Sequence, residues 1–171
     1  MALSTLLGGR RQGWFVPYRY ADTVVEPESY PALEALFAAA RPDFARFLAD
    51  IDGFAADLEA IGADTPPQPR WNQGWFPRLD AAAAYTMVRT RRPAQIVEIG
   101  SGHSTRFMAR AVADDGLTTR ITAIDPAPRA AIADLGVAHV PAVVHRADPG
   151  IFNALNAGDI LFVDSSHILM P

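Results

Sequence analysis

Glu98, Gly100 and Gly102 stand at alternate positions in the stretch IVEIGSGHST, and Asp125 follows the next apolar run, ITAI. Two glycines one residue apart let a backbone bend sharply and leave no Cβ between it and a ligand. The polar triplet after them suits the start of a helix, whose first N–H groups have no partner within the helix. A strand, a tight turn and a helix in this order hold a nucleotide in many open parallel sheets, beyond the carboxyl ends of the strands.

Three details separate the candidate nucleotides. The dinucleotide fingerprint wants a third glycine three residues after the second, and Thr105 stands there. Its β-branched side chain hinders close approach of a pyrophosphate. Glu98 at the strand end would repel phosphates but suits a ligand with an ammonium or sulfonium group. Asp125, at the tip of the next strand, can accept both hydroxyls of a ribose. The constellation favours S-adenosylmethionine over a nicotinamide dinucleotide. The plainer alternative is a tight turn in which Glu98 pairs with a nearby arginine.

The elements that must position these residues follow from the apolar periodicity. Short apolar runs alternate with helical stretches: strand 95–99, helix 104–113, strand 120–124, helix 128–135, strand 142–146, helix 150–155 and strand 159–163. Such alternation predicts an α/β, Rossmann-like, mostly parallel sheet flanked by helices. A strong helix over 79–90 precedes it. Phe107, Met108, Ala111 and Val112 form the apolar stripe of the helix after the turn, and Ser104 and Thr105 are its candidate caps.

Residues 1–70 read as an N-terminal arm with helices, and 71–171 as the ligand-binding domain. Ser29 is a candidate N-cap, with Pro31 in the first turn. Leu33, Leu36, Phe37, Phe44, Phe47 and Leu48 make one apolar face, and Pro42 predicts a break near 40–41. A further helix fits 54–61. The proline-rich ADTPPQPR connects the two parts. GWFVPYRY near the start reads as a short strand or an ordered arm.

Composition narrows the function classes. Half of the 171 residues are apolar and a fifth are charged, so a packed core is expected. A formal charge of -4 argues against a nucleic-acid or membrane-surface binder. All fifteen basic residues are arginine, which suggests a GC-rich coding bias. The lack of cysteine removes disulfides, thiolate metal sites and a cysteine nucleophile. Neither a secretory signal nor a membrane span is legible, so a cytoplasmic protein is expected.

VEIGSGHSTRFMARAV, ITAIDPAPR and GDILFVDSSH resemble the motifs of class I S-adenosylmethionine-dependent methyltransferases. More narrowly they are similar to a bacterial subgroup acting on small molecules, as is GWFVPYRYAD. The resemblance runs from about Trp71 to the end. It implies that Glu98, Gly100, Ser101 and Gly102 line the methionine and ribose part of the cofactor. It also implies that Asp125 holds the ribose hydroxyls and that Pro126 lies beside the adenine; His103, at the start of the helix, either packs over the cofactor or simply sits at the cap. It places Asp148 toward the adenine amino group, although Asp148 could simply cap the next helix. Asp164 would face the sulfonium and the acceptor.

His167 and Asp164 are the candidate acceptor bases, although His167 could equally be a surface or hydrogen-bonded loop histidine. One Asp and one His do not make a metal site, so none is expected. Trp71, Gln73, Trp75 and Phe76 either lid the site or tie the arm to the sheet. Arg89, Arg91 and Arg92 offset a helix dipole. The full class I fold has seven strands and four are legible, so a C-terminally truncated domain is expected, with an exposed edge that invites homo-oligomers. The expected partner is a small-molecule methyl acceptor. The rival readings are an NAD(P)-dependent oxidoreductase and a non-catalytic, truncated ligand-binding domain.

Overall fold

The computed structural model describes residues 3, 7–9, 19–23, 25, 29–62 and 65–166. The chain divides into two compact units, residues 1–44 and 45–171. GWFVPYRY falls largely outside the described residues.

In the first unit, a 3-10 turn at Ala21–Thr23 precedes helix α1, Pro31–Gly53, which runs on into the second unit. Pro31, whose missing N–H costs nothing there, is the first helical residue, so the helix begins one residue later than a Ser29 cap requires. The break expected at Pro42 does not occur, and the helix is continuous through it. The carbonyl that loses its partner belongs to Ala38, an exposed residue that water can serve. No residue of α1 is buried, and Leu33, Leu36, Phe37 and Phe44 all lie exposed.

The second unit holds the sheet. Helix α2 is short, Ala55–Glu59, and helix α3 spans Arg78–Arg91. Strand β1, Gln95–Ile99, leads into helix α4, His103–Asp114, and strand β2 is Arg120–Ile124. Strand β3 is Ala138–Val140, α5 is a single turn at Gly150–Asn153, and strand β4 is Ile160–Val163. The sheet order is β3-β2-β1-β4, and all three pairings are parallel. This is the α/β, Rossmann-like arrangement that the periodicity predicts. Ile96, Val97, Ile121, Ala123 and Ile124 are buried, as inner parallel strands covered by helices require.

Two predicted elements are corrected. The third strand lies at 138–140, not 142–146. Pro141 has no N–H to donate, so the ladder ends at Val140, and 144–146 forms a 3-10 turn instead. The helix expected over 128–135 is a loop with one 3-10 turn at Ala133–Leu135. Its backbone bonds outward: Arg129 N donates to Ser101 O at 3.3 Å, and Ala131 O accepts from Arg106 Nε at 3.0 Å.

Helix α3 presses Ala81, Ala84, Tyr85 and Val88 into the core with Phe107, Met108 and Ala111 of α4. Small residues on α3 let the two helices approach closely. The cations at the end of α3 do more than offset its dipole. Arg89 bonds Asp57 at 3.1 Å and the Tyr85 hydroxyl at 2.5 Å, and Arg92 pairs with Asp115. The Tyr85 hydroxyl donates in turn to Asp114 at 2.7 Å. Among the described residues no helix is long and apolar enough to cross a membrane.

Candidate functional site

The turn after β1 is held from three sides. Gly100 N donates to Ile124 O of β2 at 3.0 Å, and Asp164 N, just past β4, donates to Ile99 O at 3.0 Å. Gly100 has φ +82°, and a Cβ there would stand 2.0 Å from the Asp164 carbonyl oxygen. Only glycine serves at that position. Gly102 adopts φ +153°, with the backbone of Arg129 and Ala130 close by.

Two acids brace this turn from opposite sides. Asp125 Oδ2 accepts from Ser101 N at 2.6 Å, and its Oδ1 accepts from Ala127 N at 2.7 Å. The acid at the tip of β2 is thereby held against the glycine turn of β1, and His139 Nε2 lies 2.8 Å from its backbone oxygen. Glu98 is fully buried beneath the turn. Ser104 Oγ donates to its Oε1 at 2.5 Å and Thr105 Oγ1 to its Oε2 at 2.6 Å. Thr105 Oγ1 also accepts from Gly102 N at 2.9 Å, which closes the first turn of α4. Among the described residues no arginine pairs with Glu98: its partners are two hydroxyls of the helix that follows. Its pKa is raised to about 7: burial pushes it up most, the two hydroxyls pull it part of the way back, and the nearby Asp164 and Asp125 charges add to the rise.

The remaining candidate residues are spread around this centre. His103 is buried at the start of α4, with no partner for Nδ1. Burial, with Arg106 and Arg70 alongside, holds its pKa below the usual imidazole range. Ser101 Oγ is likewise buried without a partner. Pro126 is exposed beside Asp125. Asp148 is engaged locally, its Oδ1 accepting from Gly150 N at 2.9 Å where α5 begins. Asp164 is half-buried at the end of β4, with its backbone against Gly100. His167 lies outside the described residues.

The aromatic segment at 71–76 splits in function. Trp71 packs on Phe107 at 4.9 Å and its indole N–H donates to Leu58 O at 3.1 Å. Phe76 is buried, edge-on to Phe162 at 5.9 Å. These two tie the segment to the core. Gln73 shapes it by accepting from both Trp75 N and Phe76 N at 2.8 Å. Trp75 alone stays exposed, and the Arg129 guanidinium lies 4.4 Å from its ring centre. Arg129 thus contacts Trp75 through its guanidinium and the glycine turn through its backbone N–H.

Sequence reasoning missed four participants. Ser104 and Thr105 read as helix caps, and nothing in their spacing shows that they also reach Glu98. Arg106 reads as one more charge on a helix, yet it is buried. Arg129 has no period or motif to mark it.

Residues 97–168 match the family model of a methyltransferase domain. The match begins inside β1 and takes in the glycine turn, α4, Asp125 and all of β4. The match spans less than half of the chain, and together with the fold it supports a methyltransferase-like domain. No curated protein and no solved structure matches the chain significantly.

Proposed function

We propose that this domain binds S-adenosylmethionine at the 100–102 turn and serves methyl transfer to a small-molecule acceptor. The observation that carries the reading is Asp125 held 2.6 Å from Ser101 N. It sets a carboxylate at the tip of β2 against a glycine turn at the tip of β1, where a ribose can bond the acid while its neighbours contact the turn. The donor set suits such a ligand. Three carboxylates, those of Glu98, Asp125 and Asp164, interact at the turn, which favours a cation and disfavours a pyrophosphate. The buried Ser101 hydroxyl is unpartnered and free to bond a polar group.

When bound, S-adenosylmethionine supplies an electrophilic methyl carbon on a positively charged sulfur. The chain's residues bind, orient and exclude water. Asp125 takes the ribose hydroxyls, with Pro126 beside the adenine and Asp148 toward its amino group. Gly100, Ser101 and Gly102 give close backbone approach, and His103 lies alongside. Glu98 acts from beneath, holding the turn through Ser104 and Thr105 and lending negative potential. Asp164 faces the acceptor, and it or His167 takes the acceptor's proton where one must be lost. The domain works in the cytoplasm.

Calorimetric titration with S-adenosylmethionine, S-adenosylhomocysteine and NADH tests this. Binding of the two adenosyl ligands without NADH supports it. Binding of NADH alone overturns it in favour of an oxidoreductase, and binding of none favours a non-catalytic domain.

A further inference from the structure

At the first turn of α4 the charge reverses. His103 and Arg106 are three residues apart, on one face of the helix. Their relative exposures are 8% and 3%. Arg70 joins them from the segment before α3. Its neighbour Trp71 packs on Phe107, the residue after Arg106, and the Arg70 charge acts on both His103 and Arg106. Arg70 Nε, His103 Nδ1 and Ser101 Oγ are all buried and all without a hydrogen-bond partner. Arg106 gives Nε to a backbone carbonyl, that of Ala131. Among the described residues no carboxylate forms an ion pair with Arg70, His103 or Arg106. Burial, and after it the Arg70 charge, lower the pKa of Arg106.

Elsewhere this chain treats buried cations differently. Arg89, comparably enclosed, meets Asp57 and Asp115. Keeping two arginines beside an unpartnered imidazole, with no acid ion-paired to either arginine among the described residues, costs free energy unless an anion arrives to bond with them. The N-terminus of α4 adds the positive end of a twelve-residue helix to the same place.

We infer that Arg70, His103 and Arg106, with Ser101, form an oxyanion subsite beside the glycine turn that takes one carboxylate or phosphate group of a ligand. Two molecules can bring such a group: the cofactor, through its own carboxylate, or an anionic methyl acceptor. The subsite stands on the unpaired arginines and the unpartnered buried atoms alone. The choice between the two sources rests on the adenosyl reading of the turn.

Inorganic phosphate titrated into the intact chain is the test, read from the imidazole NMR signals of His103 against chloride of matched ionic strength. Phosphate should move those signals saturably and raise the pH at which the ring protonates. Arg70→Gln, at a half-buried position, should weaken phosphate binding by about tenfold or more. Repeating the titration with S-adenosylhomocysteine bound separates the sources. Loss of the phosphate response assigns the subsite to the cofactor's carboxylate, and an undiminished response assigns it to the acceptor. If phosphate acts while S-adenosylhomocysteine does not bind at all, the subsite stands and the adenosyl reading fails. The inference is overturned if phosphate moves the His103 signals no more than chloride does, or equally in Arg70→Gln.

Discussion

Thr105 Oγ1 lies 2.6 Å from a carboxylate oxygen of Glu98 and 2.9 Å from the backbone nitrogen of Gly102, so one hydroxyl joins the buried acid of β1 to the turn above it. The residue that departs from the dinucleotide fingerprint is therefore the pin that holds the turn in shape. Thr105→Val keeps the volume and removes both bonds. It leaves a buried N–H and a buried carboxylate short of a partner, and should cost about 1–3 kcal/mol of stability. Urea unfolding measures that loss. S-adenosylhomocysteine affinity should fall with it, and Thr105→Ser should restore most of both.

The Glu98 carboxyl makes stability depend on pH. Its folded-state pKa is raised to about 7, from an ordinary value of 4.5. Between those values the folded chain holds a proton that the unfolded chain has released. The stabilisation is therefore complete below about pH 4.5 and is lost as pH rises through about 7. Thermal unfolding should show stability falling over that window, and Glu98→Gln should flatten the slope there. A wild-type slope equal to that of Glu98→Gln would show that Glu98 does not titrate in this range.

Binding should reveal the same group. A positively charged ligand above Glu98 favours its ionised form, so binding near neutral pH should release part of a proton. Calorimetry of S-adenosylmethionine in two buffers of different ionisation enthalpy measures this release. Glu98→Gln should abolish it.

Asp125→Asn separates the ribose contact from the fold. The amide keeps one acceptor oxygen for the backbone but loses the charge and the second acceptor. S-adenosylhomocysteine affinity should drop by about tenfold or more, with a smaller change in the unfolding midpoint. Equal loss of both would make Asp125 a structural brace only.

The Tyr85 hydroxyl is the matching control, remote from the turn in its chemistry. It accepts from Arg89 and donates to Asp114. Tyr85→Phe should cost about 1–2 kcal/mol and leave ligand affinity unchanged.

How far these features could be read in advance depended on range. β1 and β2 were legible to the residue, because apolar, β-branched runs end at glycines or at Asp125. β3 was not, since 138–140 and 142–146 are similarly apolar and the decision falls to Pro141. The segment 128–135 has helical composition, but the bonds that Arg129 N donates to Ser101 and that Ala131 O accepts from Arg106 win over local propensity. Asp125 was legible because its place at a strand tip follows from order along the chain. The meeting of Arg70 with Arg106, and of Glu98 with Ser104 and Thr105, needs the folded turn of α4 and has no local signature.

The central claim is that the braced turn itself holds an adenosyl cofactor. The most direct measurement is titration of the isotope-labelled chain with S-adenosylhomocysteine, following the backbone amide signals of Ser101, Gly102 and Asp125 by NMR. The account predicts saturable shifts centred on these three, absent with NADH. Saturable binding whose shifts leave all three unmoved, or shifts there produced by NADH and not by S-adenosylhomocysteine, would contradict it.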